Sequence, residues 1–258
     1  MEGQRHVFKY QTTKNMRLYF LTLILITMTS PAISTAQAAK DSMRKNAPSF
    51  TLSLHSQGFV PFSGSVLNRH AMFDALFIAP AKPVTFFLYK SLDMQDYRTD
   101  LNYITTGFLK TYKLSGSFSL TTAAFYCISQ AGSVMDSTSD AGFIIKATYN
   151  ISKVVSVENT EMFSNLTKST LQKDFVSRLQ ISYQSKMLDV SISAWYNTPL
   201  WNNTVYVSVS PEVIFKQLAV TKHINMSASF AYFNMPIKNT SCAISNTFIF
   251  SLKTPLNL

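Results

Sequence analysis

Apolar and polar residues alternate along this chain in run after run, each about ten to thirteen residues long. Phe143, Ile145, Ala147, Tyr149 and Ile151 alternate with Ile144, Lys146, Thr148, Asn150 and Ser152. Leu188, Val190, Ile192, Ala194 and Tyr196 alternate with Asp189, Ser191, Ser193, Trp195 and Asn197. The same pattern recurs near Arg178–Gln184, Val205–Lys216 and His223–Tyr232. A strand turns successive side chains to opposite faces, so each run predicts a strand with one apolar and one polar face. A soluble strand has about five or six residues. A tilted strand that crosses a membrane needs about nine to eleven. The length of the runs therefore favours a membrane over a soluble sandwich.

The strands are predicted near 49–56, 68–78, 84–92, 101–112, 117–129, 142–151, 154–163, 174–184, 188–197, 204–215, 223–234 and 241–252. Twelve are favoured over ten, because 68–78 could also be written as a short helix. Every second link is short, around Lys82, Lys113, Lys153, Lys186 and Lys222. The links between them are longer, as in 130–140 and 164–173. Alternating tight turns and long loops are the habit of an up-and-down barrel in an outer membrane, and Greek-key sandwiches have no reason to keep it. This phase puts both termini on the periplasmic side.

Only 14% of the residues are charged although 47% are hydrophobic. Beyond the first 35 or so positions the apolar residues are not bunched, so no helical span is expected. The exception is LYFLTLILITMT at 18–29, preceded by Arg17 and followed by Ala36-Gln37-Ala38. That run is too short for a membrane helix and fits the core of an export signal. Residues 1–38 are expected to be the signal, with a possible start at Met16, and 39–258 the barrel. Four of the 23 basic and one of the 13 acidic residues lie in it, so the net charge falls from +10 to 19 minus 12, or +7. No basic cluster interleaves with aromatics, so nucleic acid is not an expected partner. Cys127 and Cys242 sit far apart in predicted strands and carry no disulfide pattern.

With these features the chain resembles the broad class of small Gram-negative outer-membrane β-barrels, porin-like, over residues 49–258. The last strand, SCAISNTFIFSLK, puts Ile244, Phe248, Phe250 and Leu252 on one face as such barrels do. It departs from them in ending at Leu258 after Pro255, and in having only seven glycines. The resemblance implies an outer-membrane location, contact with outer-membrane lipids, periplasmic chaperones and the barrel-insertion machinery as partners.

The polar faces supply candidate lumen-lining residues: Lys146, Glu158, Arg178, Asp189, Glu212, Lys216, His223 and Asn225. Paired across the lumen they brace it; unpaired and wet they set ion selectivity. Tyr112, Tyr149, Tyr183, Tyr196, Phe215 and Tyr232 are candidate interfacial aromatics. His223, Asn225, Ser227 and Ser229 share one face, but it is the polar one, and a lipid hydrolase needs its histidine and serine on the lipid side. No catalytic residue is assigned. No cofactor or metal is expected, since the chain lacks a glycine-rich phosphate loop and ligand-spaced Cys/His clusters. The expected function is a narrow channel or a structural surface protein. The alternatives are an outer-membrane enzyme acting on lipid or peptide, and a secreted sandwich or lipocalin-like binder.

Overall fold

The computed structural model describes residues 47–96, 101–129, 140–166, 174–199, 205–219, 225–237 and 244–257. The expected signal segment, Lys222, His223, Cys242 and Leu258 lie outside them. The strands are β1 Ser49–His55, β2 Gly58–Val60, β3 Ser65–Asn68, β4 Met72–Ala81, β5 Val84–Asp93, β6 Tyr103–Lys113 and β7 Phe118–Ser129. They continue as β8 Asp140–Asn150, β9 Val155–Ser164, β10 Asp174–Gln184, β11 Leu188–Pro199, β12 Tyr206–Ala219, β13 Asn225–Ile237 and β14 Asn246–Asn257.

Twelve strands close an antiparallel barrel. Each of β4 to β13 pairs with the next, and β1 pairs with both β4 and β14. The fold is thus the up-and-down barrel that the alternation predicts. Most strand ends move by a few residues, and two of the shifts have a structural reason. The predicted strand at 68–78 starts later, at Met72, because Ser65–Asn68 belongs to a separate hairpin of β2 and β3. The last strand is shifted from 241–252 to Asn246–Asn257 and takes in Pro255, opposite Thr51. Pro255 lies beyond the last β13 partner, the Ser227–Lys253 pair, and a proline is tolerated where one side of a strand is no longer paired.

Register assigns the faces. Lys146 pairs with Thr121 and Thr160, and Arg178 pairs with Thr160 and Trp195, all turned inward. The apolar partners face out, and Phe248, Phe230, Phe108, Ile181 and Ile192 stand exposed there. A soluble protein rarely exposes contiguous apolar area beyond a few hundred square ångströms. A lipocalin-like binder also has the opposite polarity, with its apolar side chains inside. The exterior is ordered by cross-strand ring pairs: Phe163–Phe175 at 5.1 Å, Phe230–Phe250 at 5.0 Å and Tyr232–Phe248 at 5.0 Å. Such pairs contribute about 0.5–1.5 kcal/mol each beyond burial.

All six candidate interfacial aromatics project outward. Tyr112, Tyr149, Tyr183 and Phe215 lie near the short-turn end, and Tyr196 and Tyr232 toward the long-loop end. Inside, the ring of Phe125 lies over Gly142, where a Cβ would overlap it. A glycine there makes room for a large inward side chain.

Candidate functional site

The connection between β1 and β4 does not stay outside the barrel. Residues 56–71 fold into the lumen as the β2–β3 hairpin, whose tip reaches the far wall. Trp195 Nε1 on β11 donates to Pro61 O at 3.2 Å, and Asn197 Nδ2 to Ser63 O at 2.9 Å. Ser208 Oγ on β12 donates to Gly64 O at 2.5 Å. Gly64, with φ +58°, approaches the indole so closely that a Cβ would overlap its Cγ, Cδ2 and Cε2. Phe59 meets Trp195 and Phe233 edge-on, and Phe62 meets Tyr89 on β5 in the same way. Val66 is fully buried among Tyr206, Phe233, Met235, Ile244 and Ile249.

A histidine–aspartate contact stands at each end of the segment that carries the hairpin. His55, the last residue of β1, places Nε2 2.8 Å from Asp74 Oδ2 and Nδ1 2.7 Å from Ser251 Oγ. Tyr89 also donates to Asp74 Oδ2, at 3.1 Å. This network ties β14 to β4 across β1, at the seam where the first and last strands close the barrel. At the other end His70 Nδ1 lies 3.0 Å from Asp93 Oδ2, which also accepts from Asn68 Nδ2 at 2.7 Å.

Across the lumen the wall of β8–β10 carries charge. Glu158 lies between two cations: Lys146 Nζ is 3.2 Å from its Oε2, and Arg178 Nη2 bonds its Oε1. Two cations share one carboxylate, so this group is net positive. Toward the short-turn end the same wall forms a polar recess of about 300 Å3, lined by Lys146, Lys153, Glu158, Gln180 and Gln184 among others. Lys216 Nζ pairs with Asp189 Oδ1 at 2.6 Å one strand further round. Glu212 faces inward beside Ser191 and is joined to neither group in the structure. His223 lies outside the described residues. Asn225 is placed by its backbone alone, opposite Ala219.

The alternation turns Lys146, Glu158 and Arg178 to the polar face and says nothing of an inward hairpin. The signal was there: an outer loop ought to be polar, yet 59–66 carries Phe59, Val60, Phe62 and Val66. The spacing of His55 and His70 along the chain gives no hint of the aspartates they meet. A third feature faces the opposite way. Asn159, Glu161 and Ser177 project outward, and Glu161 Oε1 accepts from Asn159 Nδ2 at 2.8 Å and Ser177 Oγ at 2.9 Å. The pairing lets polar atoms sit on a membrane-facing wall, beside the Phe163–Phe175 ring pair. Cys127, inward on β7, is a free thiol.

A closed barrel of long strands, apolar outside, with a charged and partly filled lumen, defines a membrane-spanning β-barrel. Solved structures of that type share its architecture. The KdgM porin, alone and in complex with disordered oligogalacturonate, superposes with a TM-score of 0.52 at 9% identity, over 81% of this chain and 99% of that one. The NanC porin in a rhombohedral crystal form gives 0.49 at 9% identity, over 82% and 99%. At such identity the likeness is one of fold. No protein family and no curated protein matches the chain.

Proposed function

We propose that the protein is a narrow, hairpin-constricted channel of the outer membrane that passes small polar solutes and favours anions. One observation carries this reading. The hairpin fills the β11–β13 side of the lumen, while the neighbouring wall of β8–β10 keeps charged and amide side chains around a polar recess toward the short-turn end. A barrel serving only as a surface scaffold has no need of a wet, charged wall on one side of a plug. The excess of cations in the Lys146–Glu158–Arg178 group supplies the anion preference. The location follows from the apolar exterior with its aromatic rims. The test is planar-bilayer recording of the refolded protein across a salt gradient. Small unitary steps with an anion-selective reversal potential are expected, and a well-folded but silent barrel would contradict the reading.

A second reading, an outer-membrane hydrolase, is favoured by the Asp74–His55–Ser251 line, which has the order of a nucleophile, a base and its orienting acid. All three side chains are buried against the seam, and the serine meets Nδ1 while Nε2 is taken by Asp74. The line therefore serves better as a clamp than as a site. Labelling with a fluorophosphonate probe separates the two, and no modification of Ser251 is expected.

A further inference from the structure

The seat of the hairpin tip has the make-up of a ligand site. Trp195, Asn197 and Ser208, on two adjacent strands, each donate to a different carbonyl of the tip, and the indole lies against Gly64. The wall needs none of these donors for its own ladder, since β11 and β12 pair by backbone without a break from Leu188–Phe215 to Asn197–Tyr206. The wall thus reads oxygen acceptors spread over an aromatic face, and the tip satisfies it.

Two further observations point to the class of ligand. Asn197 Oδ1 is buried and accepts no hydrogen bond with the hairpin in place. An occupant that also brings a donor satisfies the seat better than the tip does. Toward the short-turn end from the seat, Ser191, Ser193 and Ser210 turn inward, with Ser193 opposite Ser210. Each hydroxyl both donates and accepts. A peptide carbonyl only accepts, whereas a sugar hydroxyl does both. The C–H face of a pyranose ring also suits the electron-rich face of an indole.

We infer that Trp195, Asn197 and Ser208, with the serines beside them, form a binding site for an uncharged saccharide, and that the hairpin tip is its resident competitor. The saccharide takes the seat as the tip leaves it. Binding and widening of the lumen are then one equilibrium, shifted by the ligand's preference for the displaced state. The inference rests on the channel reading only for the route by which the saccharide arrives.

Trp201→Phe leaves Trp195 as the sole tryptophan, so its emission reports the seat whether or not the barrel conducts. Maltotetraose, cellotetraose and N-acetylated chitotetraose are titrated against this refolded protein. The same titration is run on a version in which residues 58–68 are replaced by a short glycine–serine link. At least one sugar is expected to shift the emission saturably, and about tenfold more tightly once the hairpin is shortened, since the competitor is gone. Asn197→Ala or Ser208→Ala in the shortened protein is expected to weaken binding about fivefold to tenfold, the worth of one hydrogen bond. Should the shortened protein not refold, Gly64→Leu in the full chain drives the tip off the ring and takes its place. The absence of a saturable shift with all three sugars overturns the inference. A shift given by the peptide VPFSGS and by no sugar overturns it equally, in favour of a peptide site. A silent bilayer beside a clean sugar titration would remove the channel reading and leave this one standing.

Discussion

The indole N–H of Trp195 donates to the carbonyl of Pro61 at 3.2 Å, across 134 residues of chain. That contact seats the inward hairpin on the far wall, and Gly64 lets it come so close. Gly64→Ala puts a methyl group into the ring. The barrel strands are untouched, so the variant is expected to fold, with its tip displaced. Unitary conductance should rise severalfold and Trp195 emission should shift to the red. Unchanged conductance and emission would show that the tip does not depend on this approach.

The charged wall gives an electrical prediction. Glu158→Gln removes the carboxylate that Lys146 and Arg178 share, leaving two cations without their anion. The reversal potential in a potassium chloride gradient is expected to move further toward the anion value. Arg178→Gln should move it the opposite way. If both variants keep the wild-type potential, ions do not pass along β8–β10.

The lipid-facing assignment is tested by depth. Leu179 lies outward at the middle of β10 and Tyr183 outward near its turn end. Leu179→Arg is expected to cost about 2–4 kcal/mol and Tyr183→Arg about 0–1 kcal/mol, because an arginine near the interface reaches water. Urea titration of the protein folded in lipid vesicles measures both. Equal costs would place these strands outside a bilayer.

The seam network predicts a stability effect with a partial rescue. His55→Ala leaves Asp74 and Ser251 without the side chain that bonds both. Loss of a buried partner costs about 1–3 kcal/mol. The temperature at which the folded, fast-migrating band disappears on a gel should fall. His55→Gln, which can still bond one partner, should recover part of it. No change in that temperature on His55→Ala would mean that the seam holds without the clamp.

The barrel was legible because a strand's faces are written locally. Phe143, Ile145 and Ala147 against Ile144, Lys146 and Thr148 already fix which side meets lipid. Short links at Lys82, Lys113, Lys153 and Lys186 fix the topology, and the inward placement of Lys146, Glu158 and Arg178 follows from the same alternation. The hairpin was not legible, because its position is set by partners far along the chain: Gly64 by Trp195 and Ser208, Val66 by Ile244. Nor was the outward turn of Glu161. A carboxylate on a lipid face contradicts the alternation rule, and only its hydrogen bonds to Asn159 and Ser177 make it tolerable. Pairing of the seam histidine is of the same kind, since His55 and Ser251 meet only when the barrel closes.

The central claim is a channel whose width is set by the hairpin. It is tested most directly by single-channel recording of the wild-type protein beside the version in which 58–68 is replaced by a short glycine–serine link. The account expects small, anion-favouring steps from the wild type and steps several times larger from the shortened protein, with both running as folded, heat-modifiable barrels. Equal conductance in the two, or silence from both, would contradict it.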